Sequence, residues 1–144
     1  MSVSHILKLK GRDVITVLPS ATVKDVAEVL AGKRIGAVIV SSGGGKITGI
    51  VSERDIVRAI ATAGAAALTK PASSVMSANV KTCKEDDTET ELMALMTQHR
   101  IRHLPVAVNG KLAGMISIGD VVKFRIEEIE RDAADMKAYI AGSA

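Results

Sequence analysis

The chain is written twice. Val14, Thr16, Thr22, Arg34, Ile35 and Val40 recur 66 positions later as Val80, Thr82, Thr88, Arg100, Ile101 and Val106. From Gly45 onward the offset is 65: Gly45, Lys46, Gly49, Ser52, Asp55 and Val57 recur as Gly110, Lys111, Gly114, Ser117, Asp120 and Val122. The offset changes between VSSGGGKITG and VAVNGKLAG, where a surface hairpin loop tolerates a deletion. A repeat of this period makes each copy a small unit that buries its apolar face against a neighbour rather than folding alone.

Each copy reads β-α-β-β-α. A short β run (DVITV or NVKTC) precedes a helix whose start is marked by Thr22 with Asp25, and by Thr88 with Glu91. A hydroxyl with an acid three residues later is the capping-box pattern. Val26 with Leu30, and Leu92 with Met96, set apolar side chains one turn apart. Two β runs joined by a glycine-containing turn follow, then a second helix from SERD or SIGD. The predicted fold is α+β, an α/β-type sandwich of two pseudo-symmetric units over residues 5–63 and 75–125. A linker spans 64–74, and an extended C-terminal helix spans 126–144.

Composition narrows the function. Phe124 and Tyr139 are the only aromatic rings of their kind, so bases of a single-stranded nucleic acid have little to stack on. A net charge of +3 is too mild to argue for such a partner either. Cys83 has no second cysteine to pair with, which fits a reducing cytoplasm. MSVSHILKLKGRD meets charge before any apolar core develops, and AIATAGAAAL is too short to span a bilayer, so neither a secretory signal nor a membrane span is expected. Three histidines and one cysteine make no metal-ligand set; His99 and His103 are spaced i, i+4, but Arg102 and Pro105 place a helix end between them. SSGGGKIT lacks the P-loop spacing. No nucleophile, base and orienter can be assembled, so catalysis is not expected.

The doubled Gly-apolar-apolar-Ser-x-x-Asp (GIVSERD at 49–55, GMISIGD at 114–120) has two readings. Ser as N-cap with an acid at the third helical position is ordinary capping, worth about 1 kcal/mol. Alternatively, the carboxylate accepts from the two hydroxyls of a ribose while the helix N-terminus faces a phosphate. Capping leaves the glycines unexplained; a glycine there lets another backbone or a ligand come close.

The paired units resemble cystathionine-β-synthase (CBS) domains, and their tandem resembles a Bateman module. The likeness rests on Gly49–Ser52–Asp55 and Gly114–Ser117–Asp120, on SSVMSANVKT at the entry to the second unit, and on RHLPVAV with its Leu-Pro-Val strand. It implies adenine-nucleotide binding in clefts between the repeats. Asp55 and Asp120 would each hold a ribose, with Ser52 and Ser117 beside it. Backbone near Thr16 and Thr82 would read adenine, against Ile35 and Val38 or Ile101 and Leu104. Arg102 and His103, with Arg54, would serve phosphate at the Asp55 site, where Gly36 and Ala37 are their uncharged counterparts. AMP is the leading ligand implied, with ADP, ATP, NAD(H) and S-adenosylmethionine sharing its adenosine.

Beyond the second unit, Val122, Ile126, Ile129, Ala133, Met136 and Ile140 step by 4, 3, 4, 3, 4, a heptad seam. Two readings stand: a helix folded back on its own sheet, or a dimerisation helix, which the resemblance favours. The expected protein is a cytoplasmic homodimeric nucleotide sensor acting on a separate regulated protein. The alternative is a structural dimerisation adaptor without a nucleotide.

Overall fold

The computed structural model describes residues 2–142. Helix α1 (Val3–Lys10) leads into the first repeat: β1 (Thr16–Val17), α2 (Val23–Lys33), β2 (Ala37–Val40), β3 (Gly49–Ser52) and α3 (Glu53–Ala63). A 3-10 segment (Gly64–Thr69) and a short α4 (Ala72–Val75) connect to α5 (Glu89–His99), β4 (His103–Val108), β5 (Lys111–Ser117) and α6 (Ile118–Gly142). The architecture is the mixed α+β arrangement read from the repeat.

The local chemistry recurs in both copies. Thr22 and Asp25, and Thr88 and Glu91, close reciprocal capping boxes at the starts of α2 and α5. Both helices end on an arginine in the left-handed region, Arg34 at φ 54° and Arg100 at φ 53°, a conformation uncommon for a residue with a Cβ. The second hairpin turns on Asn109 and Gly110, both at positive φ (53° and 77°), as a two-residue turn between twisted strands requires.

The sheets differ. In the first repeat β1 runs parallel to β2, which pairs antiparallel with β3. In the second, β4 and β5 form a hairpin, and the expected NVKTC strand survives as one parallel bridge, Cys83 to Val106. The cause is Pro105. Its counterpart 66 positions earlier, Ile39, donates its N–H to the Ile15 carbonyl at 3.4 Å; proline has no N–H to donate. The ladder therefore keeps only the Cys83 N–H to the Pro105 carbonyl and the Ala107 N–H to the Cys83 carbonyl, each 3.0 Å.

Two apolar clusters make the core, and each is closed by a helix from outside its own repeat. Val23, Val26, Val38, Val40 and Val51 of the first repeat pack with Ala72 of α4. Leu92, Leu104, Val106 and Ile116 of the second repeat pack with Val3, Ile6 and Leu7 of α1. Helix α1 lies outside the β-α-β-β-α repeat, although Val3, Ile6 and Leu7 carry the i, i+3, i+4 spacing of one helical face.

This crossing explains the glycines. A Cβ on Gly114 would lie 2.8 Å from a Leu7 methyl; one on Gly49 would meet Met76 and lie 3.0 Å from the Ser77 carbonyl oxygen. That carbonyl accepts from the Ile50 N–H at 3.0 Å and cannot retreat without breaking the bridge. Gly49→Ala should therefore cost more than Gly114→Ala, where a flexible leucine end gives way. The overpacking range is about 1–3 kcal/mol, with Gly49→Ala toward its top. Urea denaturation of both variants checks the order.

Candidate functional site

β3 ends at Ser52 and α3 begins at Glu53, so the Ser52–Asp55 turn sits where strand becomes helix. Asp55 Oδ2 accepts from the Ser52 N–H (2.9 Å) and the Ser52 hydroxyl (3.1 Å), while the Asp55 N–H donates to Ser52 Oγ (3.3 Å). The second copy repeats this: Asp120 Oδ2 accepts from the Ser117 N–H (2.8 Å), and the Asp120 N–H donates to Ser117 Oγ (3.2 Å). A further bond fixes each helix start to the strand facing it, Glu53 N–H to the Gly36 carbonyl (2.9 Å) and Ile118 N–H to the Arg102 carbonyl (2.8 Å). Capping thus uses one oxygen of each carboxylate. The other oxygen of Asp55 lies 3.8 Å from the exposed Arg58 guanidinium of its own helix.

Around Asp55 opens a cavity of about 540 Å³ between the repeats. Of the residues singled out in the sequence, Ser52, Arg54, Asp55, Ile101, Arg102 and His103 line it. Thr16, Ile35, Val38, Thr82 and Leu104 are not among its lining residues. Val38 and Leu104 are fully buried in the two apolar clusters, which corrects the expectation that they form the base-facing wall. Alternation along β2 turns Val38 to the core and Ala37 to the cavity. Ser117 and Asp120 stand at the other repeat's junction and are not among the lining residues.

Cations dominate the lining. Arg54, Arg58, Lys81, Arg100 and Arg102 face two carboxylates, Glu53 and Asp55. Arg58, Lys81 and Arg100 are not among the site residues expected from the sequence. Arg100 reads as a helix end favoured by the dipole, and its left-handed turn after α5 is visible only in the backbone. Lys81 sits in a segment read as strand; the segment is irregular, and both Val80 and Lys81 line the cavity, so alternation would not have found it.

The two walls are unequal in size as well as charge. Gly36 and Ala37 occupy the positions that Arg102 and His103 take in the second repeat. A Cβ on Gly36 would come within 3.0 Å of the His103 ring, so the trimmed first wall makes room for the filled second one. Burial pushes the His103 pKa below its ordinary 6.5, and the Lys10 and Arg102 charges add to this against Glu53 and Asp120. At Asp120, burial raises the carboxyl, but the Lys10 hydrogen bond, the Ser117 N–H and the Lys10 charge together hold it below 3.8. Burial also pushes the Cys83 thiol up to about 12, consistent with a core residue.

Among the described residues no group of three or more His, Cys, Asp and Glu is placed to hold a metal ion, and no helix is long and apolar enough to cross a membrane. The seam of α6 is exposed: Val122, Ile126, Ile129 and Met136 are 47–61% accessible, whereas Val121 and Phe124 turn inward. Among the described residues, then, Val122, Ile126, Ile129 and Met136 are not folded back onto the sheet.

Comparison with known proteins gives a consistent picture. The CBS domain family matches residues 3–62 and 72–127. The crystal structure of the CBS-domain containing protein ATU1752 from Agrobacterium tumefaciens superposes with TM-score 0.85 at 47% identity, covering 87% of this chain and 99% of that one. A CBS domain protein of Pyrobaculum aerophilum, PAE2072, solved in complex with AMP, gives TM-score 0.74 at 31% identity over 83% of this chain and 89% of that one. The mitochondrial CBS domain-containing protein CBSX3 of Arabidopsis thaliana is 30% identical, covering 98% of this chain and 72% of that protein.

His103 makes a pH test available. A histidine whose folded pKa is depressed binds fewer protons folded than unfolded, so stability falls as pH drops through the unfolded value near 6.5 and levels off below the folded one. His103→Gln should flatten this descent between pH 7 and the folded pKa. Urea midpoints across that range measure it.

Proposed function

The chain belongs to the CBS-domain family, and from that membership we propose that it is a non-catalytic regulatory module binding an adenine-containing nucleotide at the Asp55 cavity. One observation carries the reading: a capped helix start and the Asp55 carboxylate share a cavity with five permanent cations from three parts of the chain. In this reading the outward Asp55 oxygen accepts from the ribose hydroxyls. The phosphate lies between the α3 N-terminus, Arg54 and Arg102, where the positive end of the helix and the guanidinium forks suit it. Ala37, Ile50, Val57, Val80 and Ile101 offer apolar surface to the base. The AMP complex of the Pyrobaculum relative supports AMP as the first ligand to try; ADP, ATP, NAD(H) and S-adenosylmethionine present the same adenosine.

A ligand bridging the repeats changes a partner's state only through differing affinity for two arrangements of those repeats. Helix α6 supplies a means of self-association. Its 25 residues extend about 38 Å, and its exposed heptad seam is self-complementary. This favours a homodimer, and it is also what a structural adaptor without nucleotide would retain.

Thermal shift with the five ligands tests the first reading. A nucleotide at a hundred times its Kd adds about 2.7 kcal/mol, raising the midpoint by roughly 5–10 °C for a domain of this size. Asp55→Ala removes a charged acceptor worth about 1.5–3 kcal/mol and should weaken binding roughly 10- to 100-fold. No shift with any ligand leaves the adaptor reading. For the dimer, Ile129→Glu with Met136→Glu should halve the mass seen by light scattering; an unchanged mass rejects the α6 seam.

A further inference from the structure

The two Ser-x-x-Asp turns are alike in their caps and unlike in what reaches their carboxylates. At Asp120, Lys10 from α1 places its ammonium 2.6 Å from Oδ2 and 2.7 Å from the Met115 carbonyl oxygen. At Asp55 the ion pair among the described residues is the loose one to Arg58, from the same helix. The preceding helix α4 contributes no charged side chain: its sequence is ASSV.

Helix α1 is held firmly where it delivers Lys10. Val3, Ile6 and Leu7 are buried in the second repeat's cluster, and Leu7 lies against Gly114. The Val3 and Ser4 N–H groups donate to the Asp87 and Glu85 carbonyls at 2.9 Å, and Arg12 pairs with Glu85 beyond the helix. The helix is thus tied to the second repeat at both ends. Lys10 itself is 35% and Asp120 22% accessible, so the pair is reached by water and can open without the helix unfolding.

We propose that Lys10 is an internal occupant of the second repeat's carboxylate site, closing it to ligand, so that the chain has one open site, at Asp55, and one latched site, at Asp120. The ammonium bonds Oδ2, the oxygen that also takes the Ser117 N–H, and neutralises the carboxylate that a ribose diol would otherwise meet. This rests on reading the Ser-x-x-Asp turns as nucleotide devices. It goes further by fixing the stoichiometry and naming the side chain that sets it. Opening the latch exposes a second site of the same adenosine chemistry.

Calorimetric titration with AMP and with ATP tests this on the full chain. Wild type should bind one nucleotide per chain, Asp55→Asn none, Lys10→Met two, and Lys10→Met/Asp55→Asn one. Lys10→Arg keeps a cation for Asp120 and should remain at one. Far-UV circular dichroism and the melting temperature establish that each variant is folded. Two nucleotides on wild type, or one on folded Lys10→Met, overturns the latch while leaving the Asp55 reading in place. No binding by any of these proteins overturns the nucleotide reading instead, and lysine acetylation then decides the latch. Lys10 should acetylate more slowly than Lys8 of the same helix in wild type and as fast as Lys8 in Asp120→Asn; equal rates in wild type overturn it.

Discussion

The rest of the structure depends on a close approach: Leu7 against Gly114, and the Met76–Ser77 turn against Gly49. Each repeat has a sheet face that its own two helices leave incomplete. The missing cover arrives from the segment preceding the other repeat, and it fits because the facing strand residue has no side chain. Burial of this kind is worth about 1.5–3 kcal/mol for each large aliphatic side chain removed from water. Three α1 side chains at 0–1% exposure therefore outweigh any one surface ion pair in deciding where α1 sits. Everything nearer the site, from the Ser52 cap to the placement of Lys10, is positioned by that packing.

Given this frame, the electrostatics diverge. The cavity at Asp55 gathers guanidinium and ammonium groups with little countercharge, whereas at Asp120 a cation is already matched to the carboxylate. His103 lines the Asp55 cavity and lies within electrostatic reach of Lys10, Asp120, Glu53 and Arg102. A change in charge at Asp120 is thus felt by an imidazole in the wall of the other repeat's cavity. That gives the two sites a short physical connection without invoking a path through the core.

What was legible in the sequence was local. Capping boxes involve residues three apart, the Asn-Gly turn two adjacent residues, and the heptad seam one helix; the structure shows each where the spacing put it. The meeting of Arg102 and His103 with Ser52 and Asp55 came from resemblance, and the shared cavity brings them together. What stayed hidden was long-range or two-faced. Residues 37–40 are all buried, so periodicity could not tell which alternate pair faces the cavity, and Val38 was placed on the wrong side. Helix α1 was unread because its value lies in a repeat whose first strand begins some seventy residues further on, and the loss of the NVKTC strand turned on one missing N–H at Pro105.

The pairing of Gly36 and Ala37 with Arg102 and His103 has a consequence for how such a chain can change. A duplicated unit starts with two identical walls, and identical walls would either collide or leave a gap at the pseudo-twofold. Here one copy carries small residues and the other large ones, with the His103 ring 3.0 Å from where a Gly36 Cβ would stand. The halves have become a key and its lock. The symmetry visible in the sequence is therefore not repeated where the two copies meet.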